Sequence, residues 1–393
     1  MRTLCASLIA LALACSGAHS LAQDTAPVAM DVESAEGFKG TISKPVDGRN
    51  INARVKAGEA IVTATLAAGF KGEVMVDMGG LLLVNGVSED IGAQGFGELG
   101  GKRVLWPYAS VTKQVLAARI TEELDANDYS LDTPISEFVP QIAGDAEVPT
   151  IRQLLQHRSG LRNPDDTPVG ANTWPDFYNK PGDYGLEWCL KERAAPPAQG
   201  WSYNNCDYIV LGAAFEELSF ENAAAMLTTG YFGAKTDKGT ATPVMLTADN
   251  IDGYYAMTAP ESDTIPAYGA SAAMGGTLED LAVFNWTVMK SYQEDLDKGG
   301  ARADFWKGTP ALSMMALGQW VFEVEHEACK APITIAQRKG EIGRYRLESV
   351  MLPALGRSII FATTDPAFEF GEIWARSGAL YDAVGTLACG DTQ

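Results

Sequence analysis

The chain has 393 residues, of which 46% are hydrophobic and 20% are charged, a composition typical of a globular protein with a sizeable buried core. Its acidic residues outnumber the basic ones by enough to give a formal net charge of −20. Such a surface repels the phosphate backbone and argues against binding of nucleic acid.

The first 22 residues have the features of a secretory signal peptide. Arg2 supplies a positive charge, residues 4–15 form an apolar run too short to span a bilayer, and small residues near position 20 offer cleavage sites. We therefore expect a secreted or periplasmic protein without a stable membrane span. The segment before Cys15 also resembles a lipoprotein box, but Leu13 stands where a small residue is preferred, so lipid anchoring is the minor alternative.

Four cysteines would remain after cleavage. In an oxidising compartment they would form two disulfides, for which three connectivities exist, and we favour Cys189–Cys206 with Cys329–Cys389. Their spacing fits no zinc pattern, and only two histidines remain, which argues against a metal site. The same scarcity argues against a Ser-His-Asp triad unless His157 serves it.

The N-terminal part of this chain predicts a helix followed by a hairpin. Apolar residues recur at helical spacing over 51–68, although Gly58 interrupts the pattern. Residues 72–78 and 81–86 are rich in β-formers and flank Gly79 and Gly80, a combination typical of a β-hairpin.

The middle of the chain is mostly helical. A turn at Ser110 leads into a helix that continues to about Leu124, and further helices are predicted at 151–157, 208–220 and 277–289. The irregular segment 162–200 is rich in proline, glycine and aromatic residues, so it is either a pocket wall or a packed loop.

The last hundred residues return to β character. Short β-rich runs occupy 317–324, 333–337, 345–352 and 358–364, and a final helix is predicted over 379–389. The plan is a sheet built from both ends of the chain, with a helical block inserted between them.

Ser110 and Lys113 form a Ser-x-x-Lys pattern at the start of a predicted helix. Residues three apart share a helix face, and the positive end of the helix dipole would lie beneath the serine. A serine nucleophile with its own proton acceptor would have this arrangement, although the pattern alone is weak.

A second element strengthens the pattern. Tyr203-x-Asn205, followed by Tyr208 and an apolar pair before Gly212, resembles the Tyr-x-Asn motif of the serine β-lactamase and penicillin-binding-protein superfamily, in its class C β-lactamase and esterase branch. An overlapping Ser202-x-Asn204 would suit the class A pattern but fits the following residues less well. Three further segments, 130–134, 154–161 and 273–281, resemble landmarks of the family and follow one another in the same order. The resemblance covers roughly residues 70–365.

The third family motif, Lys-Thr-Gly or His-x-Gly, has an altered counterpart. We take it as Arg338-x-Gly340, in which arginine replaces the usual lysine or histidine. Lys339 would take the role if the register slipped by one residue. Arg376-Ser377-Gly378 is a rival that lies too near the end of the chain.

The resemblance implies a β-lactamase/transpeptidase-like α+β fold. An antiparallel sheet flanked by N- and C-terminal helices would pack against an inserted all-helical lobe. We expect one hydrolase domain over residues 23–393, with an α/β lobe at about 50–109 and 315–393 and a helical lobe at about 110–314.

The resemblance also implies a mechanism without a cofactor. Ser110 would form an acyl-enzyme, and Tyr203, made more acidic by nearby Lys113 and Arg338, would take the serine proton. The cleaved bond would be an ester, an amide or a β-lactam. A catalytically silent protein that binds peptidoglycan or peptides is the alternative.

Substrate-binding residues follow from the same resemblance. Asn205 would hold Lys113 or a substrate amide, and the backbone N–H groups of Ser110 and Glu341, next to Gly340, would form the oxyanion hole. Arg338 would bind a carboxylate of a small-molecule or peptide substrate. The sequence does not indicate the oligomeric state.

Overall fold

A computed structural model describes residues 29–30, 42–43, 51–94, 103–142, 147–170, 173–179, 185–191, 195–198, 200–219 and 244–390. The expected signal peptide, residues 1–22, lies outside them. Within the described residues, no helix is both long enough and apolar enough to span a membrane.

An antiparallel sheet forms the centre of the α/β part of the molecule. Eight described strands follow the spatial order β1-β2-β4-β3-β11-β10-β9-β8, so that N-terminal strands form one half of the sheet, C-terminal strands form the other, and the halves meet where β3 pairs with β11. Their bounds are Ala29–Met30 (β1), Ile42–Ser43 (β2), Gly72–Asp77 (β3), Leu83–Val87 (β4), Trp320–Val324 (β8), Ile333–Ile342 (β9), Tyr345–Leu352 (β10) and Arg357–Thr363 (β11). The predicted hairpin is β3 paired with β4.

A second, small sheet places two short strands in the segment 110–314, which was expected to be all helical, and a third just before it. Its short strands are ordered β5-β7-β6, with bounds Trp106–Pro107 (β5), Val244–Met245 (β6) and Met274–Gly276 (β7). Two-residue strands leave no period-two pattern in a sequence, which explains why the sequence did not predict them.

Each of the six predicted helices is present within a few residues of its expected bounds, and the described residues contain five further short α-helices that the sequence did not predict. Their bounds are Ile51–Ala67 (α1), Glu89–Gly92 (α2), Val111–Ala126 (α3), Ile151–Leu155 (α4), Leu186–Lys191 (α5), Asn205–Ser219 (α6), Ala259–Thr264 (α7), Leu278–Met289 (α8), Tyr292–Lys298 (α9), Gly300–Phe305 (α10) and Ala379–Cys389 (α11). Thr150 caps α4 and Thr277 caps α8, each through a reciprocal capping box.

The large sheet separates two apolar cores. In β3, Val74 and Val76 contribute to the core beneath α1 and α11, whereas Met75 contributes to the core shared with α3, α6 and α8. The alternation follows from the pleat of a strand, whose successive side chains point to opposite faces. The second core holds the helix that begins after Ser110.

Gly58, which weakened the prediction of a helix, is required by the packing of α1. A Cβ at this position would lie 2.7 Å from Cγ2 of Val84 in β4. The glycine therefore lets α1 approach the sheet closely, and the helix continues through it.

Strand β9 is twice as long as predicted. Its first half pairs with β8 as far as Gln337 opposite Trp320, whereas its second half, which contains Arg338, pairs with β10 alone. Polar residues in this second half hide the strand from a hydropathy pattern. From Arg338 onward, where the third motif begins, β9 therefore has no described strand paired on the side that β8 occupies before it.

Two disulfides connect the positions that we favoured. Cys189–Cys206 joins α5 to α6, and Cys329–Cys389 joins the loop after β8 to the end of α11. Both predicted pairs are confirmed.

Candidate active site

Ser110 lies at the turn between β5 and α3. Ala109 has a positive φ of 49°, a conformation that L-residues adopt only in tight turns. Ser110 is the N-cap of α3, and its side chain faces Tyr203 instead of capping the helix. Gly340 of β9 packs against this turn, because a Cβ there would lie 3.2 Å from the Ser110 nitrogen and 2.6 Å from the Tyr108 carbonyl oxygen.

Lys113, one turn into α3, is fully buried behind the serine. Its Nζ lies 2.7 Å from Oδ1 of Asn205, 2.8 Å from the carbonyl oxygen of Ser271 and 3.2 Å from Oγ of Ser110. The first two partners only accept hydrogen bonds. A neutral amine that donates to both would direct its lone pair at the serine hydroxyl.

Electrostatics favour this neutral form. Burial, and secondarily the positive charge of Arg338, lower the pKa of the Lys113 ammonium well below its ordinary value; Asp165 and Asp207 oppose the shift. The same shift makes the unprotonated amine, which is the form able to accept a proton, more populated than in an exposed lysine.

Tyr203 completes a compact group around the serine. Its hydroxyl oxygen lies 2.5 Å from Oγ of Ser110, and Lys113 Nζ lies 4.8 Å from the centre of its ring. Burial raises the pKa of Tyr203, and this effect outweighs the opposite influence of Arg338 and of the Ser110 hydrogen bond. Arg338 therefore favours the phenolate as expected, but the expectation missed burial, which favours the neutral hydroxyl in the resting protein.

Arg338 reaches the group from β9 but does not face solvent. It is 1% exposed, its Nε donates to the carbonyl oxygen of Ser110 at 3.0 Å, and its Nη2 lies 3.4 Å from the Tyr203 hydroxyl. Nη1 is buried without a hydrogen-bond partner among the described residues. The expected clamp for a substrate carboxylate has no support in this geometry, because the guanidinium is enclosed.

Lys339 does not take the role of Arg338. Its Nζ lies 2.7 and 2.8 Å from the two carboxylate oxygens of Glu372, on the opposite face of β9. Glu341 shares the face of Lys339 because strand side chains alternate. Any contribution of Glu341 to a site at Ser110 therefore comes from its backbone.

The orientation of Asn205 depends on two residues that the sequence did not single out. Its Nδ2 donates to the Tyr178 hydroxyl at 2.9 Å and to both Asp165 oxygens at 3.1 and 3.2 Å. The Tyr178 hydroxyl itself donates to Asp165 at 2.7 Å. Because a carboxylate only accepts hydrogen bonds, Asn205 must present its amide group to Asp165 and its oxygen to Lys113.

Asp165 and Tyr178 belong to the irregular segment 162–200. Tyr178 stacks on Tyr268 with ring centres 3.6 Å apart, and Trp174 meets Tyr268 edge-on at 6.1 Å. The aromatic content of the segment was the available signal for this wall beside the serine, but the sequence did not identify which of its residues take part.

His157 lies behind Tyr203 and does not contact the serine. Its ring centre is 4.7 Å from that of Tyr203, its Nδ1 is 3.2 Å from Asp207, and Asp207 also accepts a hydrogen bond from Ser159. Burial lowers the pKa of His157 well below its ordinary value. Within the described residues no hydrogen bond joins His157 to Ser110, so it supports the tyrosine ring instead of completing a triad.

The described residues offer no metal centre at this site. No group of three or more His, Cys, Asp or Glu side chains in the described ranges is placed to hold a metal ion.

Comparison with known proteins identifies the family. Residues 51–320, more than half of the chain, match the family model described as Beta-lactamase. The chain belongs to the Beta-lactamase family. The match includes Ser110, Lys113, Tyr203 and Asn205 and ends before Arg338, so the third motif rests on the structure.

Solved structures of this family share the fold. The β-lactamase/D-alanine carboxypeptidase from Yersinia pestis is 17% identical, with a TM-score of 0.59 over 88% of this chain and 100% of that chain. The D-amino acid amidase from Ochrobactrum anthropi is 16% identical, with a TM-score of 0.57 over 86% and 98% of the two chains. The predicted superfamily and its α+β fold are confirmed.

A curated relative matches only a short part of the chain. The D-aminopeptidase of Cereibacter sphaeroides is 30% identical over 112 residues, which are 28% of this chain and 21% of the relative. The chain thus corresponds to about a fifth of that protein.

Proposed function

We propose that this Beta-lactamase-family protein is a secreted serine hydrolase that works through an acyl-enzyme on Ser110. The observation that carries the proposal is the position of its Oγ, 2.5 Å from the Tyr203 hydroxyl and 3.2 Å from the Lys113 amine. Both distances are within or close to hydrogen-bond reach for proton transfer. Two disulfides support an oxidising location outside the cytoplasm.

Lys113 is the general base in this proposal. As Ser110 Oγ attacks the carbonyl carbon, its proton moves to the neutral Lys113 amine, and a tetrahedral oxyanion forms. When the intermediate collapses, the bond to the leaving group breaks and the Tyr203 hydroxyl gives its proton to that group. Lys113 then returns a proton to the phenolate, so that both side chains recover their starting state.

Arg338 stabilises the transient phenolate. Its Nη2 lies 3.4 Å from the Tyr203 oxygen, and it has no carboxylate partner among the described residues. Its positive charge is therefore available when negative charge appears on the tyrosine. Water attacks the acyl-enzyme by the same route, with Lys113 again accepting the proton.

The oxyanion would lie at the N-terminus of α3. We assign the backbone N–H groups of Ser110 and Glu341 to this hole, each donor contributing roughly 3–4 kcal/mol. Gly340 supports this assignment, because the absence of a side chain brings β9 against the backbone of the nucleophile.

The scissile bond is an amide or ester in this proposal. The D-aminopeptidase, the D-amino acid amidase and the D-alanine carboxypeptidase named above motivate a substrate panel of D- and L-amino acid amides, p-nitrophenyl esters, a D-alanyl peptide and a chromogenic cephalosporin.

The first test is covalent labelling of the nucleophile. Intact-mass measurement after exposure to a fluorophosphonate is expected to show one adduct, absent in Ser110→Ala, and this variant is expected to lose all turnover of the panel. Ser159→Ala is the matched control, because Ser159 is buried near the site but bonded to Asp207. An unlabelled wild-type protein that still binds peptides would favour the catalytically silent alternative, and turnover by Ser110→Ala would exclude Ser110 as the nucleophile.

A further inference from the structure

Of the charged side chains that hydrogen-bond to Asn205 or Tyr203 in the described residues, the one exposed to solvent is acidic. Of the two cations nearest the serine, Lys113 is fully buried and Arg338 is 1% exposed. Lys339 is paired with Glu372 on the other face of the strand. Asp165, in contrast, is exposed while its carboxylate contacts Asn205. A charged group of a substrate therefore meets a carboxylate first.

Asp165 lies close to the reacting atoms. Only the amide group of Asn205 separates it from Lys113, since Asn205 Oδ1 is 2.7 Å from Lys113 Nζ and Nδ2 is 3.1 Å from the nearer Asp165 oxygen. Its charge also acts on the nucleophilic group, because it opposes the lowering of the Lys113 pKa and contributes to the raised pKa of Tyr203.

The carboxylate is held in place by its partners. Tyr178 donates to Oδ1 at 2.7 Å and Asn205 donates to both oxygens. These contacts fix its position while leaving acceptor capacity, since an ionised carboxylate offers about four lone-pair sites. A fixed, exposed and incompletely satisfied carboxylate suits an ammonium group, which brings three donors and a positive charge.

An apolar surface adjoins Asp165. The stacked pair Tyr178 and Tyr268 continues into half-buried Trp174. Trp174 also reaches the turn after β9, where a Cβ at Gly343 would lie 3.1 Å from its ring. The wall therefore extends from the helical part of the molecule to the sheet. Tyr178 is fully buried and Tyr268 is 9% exposed, so half-buried Trp174 is the ring on which a substrate side chain would pack.

We infer that Asp165 is a specificity-determining residue that binds a protonated primary amine on the acyl part of the substrate. The preferred substrates are then amides or esters of amino acids with a free amino group and an apolar side chain, not carboxylate-bearing or N-acylated ones. The inference rests on the proposed hydrolase function and replaces the expectation of a substrate carboxylate bound by Arg338.

The kinetic test uses three matched p-nitroanilides, in both enantiomers where they are chiral: phenylalanine, N-acetylphenylalanine and 3-phenylpropionate. Wild type is expected to prefer the free amine by at least about 30-fold in kcat/KM. Asp165→Asn keeps an acceptor for Asn205 and is expected to reduce this preference at least tenfold, chiefly through KM. Asp166→Asn, at the adjacent exposed carboxylate, is expected to leave it unchanged.

The ratio of the substrates separates specificity from structure. If Asp165→Asn slowed all three anilides equally, Asp165 would act only by positioning Asn205, and the inference would be wrong. A wild type that hydrolyses all three equally, or that prefers a succinyl anilide, would also overturn it while leaving the hydrolase function intact.

A binding measurement keeps the inference testable without turnover. Calorimetry with Ser110→Ala is expected to detect phenylalanine amide and to show at least tenfold weaker binding of N-acetylphenylalanine amide. Adding Asp165→Asn should remove this difference. Equal binding of both amides by Ser110→Ala would overturn the inference, whereas absence of a fluorophosphonate adduct on wild type would contradict the hydrolase proposal alone.

Discussion

The candidate site and the large sheet bury ionisable groups of opposite sign. Around Ser110 the buried groups include the cations Lys113 and Arg338, each of which contacts Ser110. In the sheet they are the acids Glu73, Asp77 and Glu348, each fully enclosed and each with a pKa raised to about 7 by burial. Burial therefore lowers the pKa of Lys113 at the site and raises the pKa of the acids in the sheet, and in both regions it disfavours the charged form.

Burial drives Lys113 and the three acids toward their neutral forms, and the hydrogen-bond partners of the neutral form decide what the group does. Glu73 lies 2.6 Å from Nε1 of Trp106 and 3.0 Å from the side-chain amide of Asn85, whose Oδ1 is buried without a partner in the described residues. A protonated Glu73 would donate to that oxygen if the Asn85 amide were rotated. The neutral side chain of Glu73 therefore has a structural role.

The neutral lysine faces a different kind of partner. Its fixed acceptors, Asn205 and Ser271, leave the lone pair to a serine hydroxyl. An amine that burial favours in its unprotonated form and that points at a nucleophile is suited to accept a proton. The comparison teaches that burial supplies the altered pKa in both regions, and that hydrogen-bond geometry distinguishes a structural group from a chemical one.

The largest effect is expected when Lys113 is replaced, which tests whether this buried lysine accepts a proton in the reaction. Lys113→Met keeps an unbranched side chain without a proton acceptor, and kcat is expected to fall on the order of 10³-fold. Steady-state kinetics on the best substrate of the panel measures the loss, and near-UV circular dichroism checks the fold. Lys339→Met is the control, because this lysine pairs with Glu372 on the other face of β9. Equal losses in the two variants would refute the role of Lys113.

Replacement of Glu73 by glutamine tests whether a buried acid of the sheet is neutral and has a structural role. A folded-state pKa of about 7 against 4.5 means that the native protein binds more protons than the unfolded chain between these values. The contribution of Glu73 to stability is thus fully present below about pH 4.5 and is lost as pH rises to about 7. Above pH 7, Glu73→Gln is expected to be more stable than wild type by roughly 3 kcal/mol.

Urea unfolding of both proteins at pH 4.5 and pH 8 measures this difference. The advantage of Glu73→Gln should shrink or vanish at the lower pH, where the wild-type acid is already neutral. Glu89→Gln on the short helix α2, where the acid is exposed, is the control and should show little change. A Glu73→Gln protein that is less stable at both pH values would mean that the carboxylate is ionised in the native sheet.

Much of the architecture was predictable because it depends on local patterns. The Ser110–Lys113 spacing, the Tyr203-x-Asn205 segment, the capped helices and the hairpin β3–β4 all leave signals within a few residues of one another. The cysteine pairs were favoured from position alone. These predictions needed no knowledge of how distant segments meet.

What the sequence could not provide are contacts between segments and the burial that they create. Ser271 contributes only a backbone carbonyl, which no side-chain pattern reveals. Asp165 is important because it meets Asn205, 40 residues away. The enclosure of Arg338 depends on the rings of Tyr203 and Trp320, which lie 5.5 and 5.3 Å from its guanidinium carbon. Because the sequence does not show burial, it led us to predict that Arg338 binds a substrate carboxylate and that Tyr203 is a phenolate.

The smallest effect is expected from the influence of Arg338 on the pKa of Lys113. It tests most directly whether burial alone sets that pKa. Burial and Arg338 both lower the pKa of Lys113, and Arg338 also lowers that of Tyr203. Because the neutral amine is the active form, kcat/KM should rise with pH through the Lys113 pKa. Replacement of Arg338 by methionine removes the second cation, so both pKa values should increase.

The entire pH profile of Arg338→Met is therefore expected to move to higher pH. The loss of kcat/KM at neutral pH, about tenfold, should shrink as the pH is raised and leave only the part due to lost phenolate stabilisation. Arg338→Lys keeps a positive charge and should retain most of the wild-type profile. Full profiles of the three proteins on one neutral substrate separate this effect from a structural one. If Arg338→Met lost the same activity at every pH, the guanidinium would act through the Tyr203 phenolate or its hydrogen bond to the Ser110 carbonyl and not through the Lys113 pKa, and burial alone would account for the lowered pKa of Lys113.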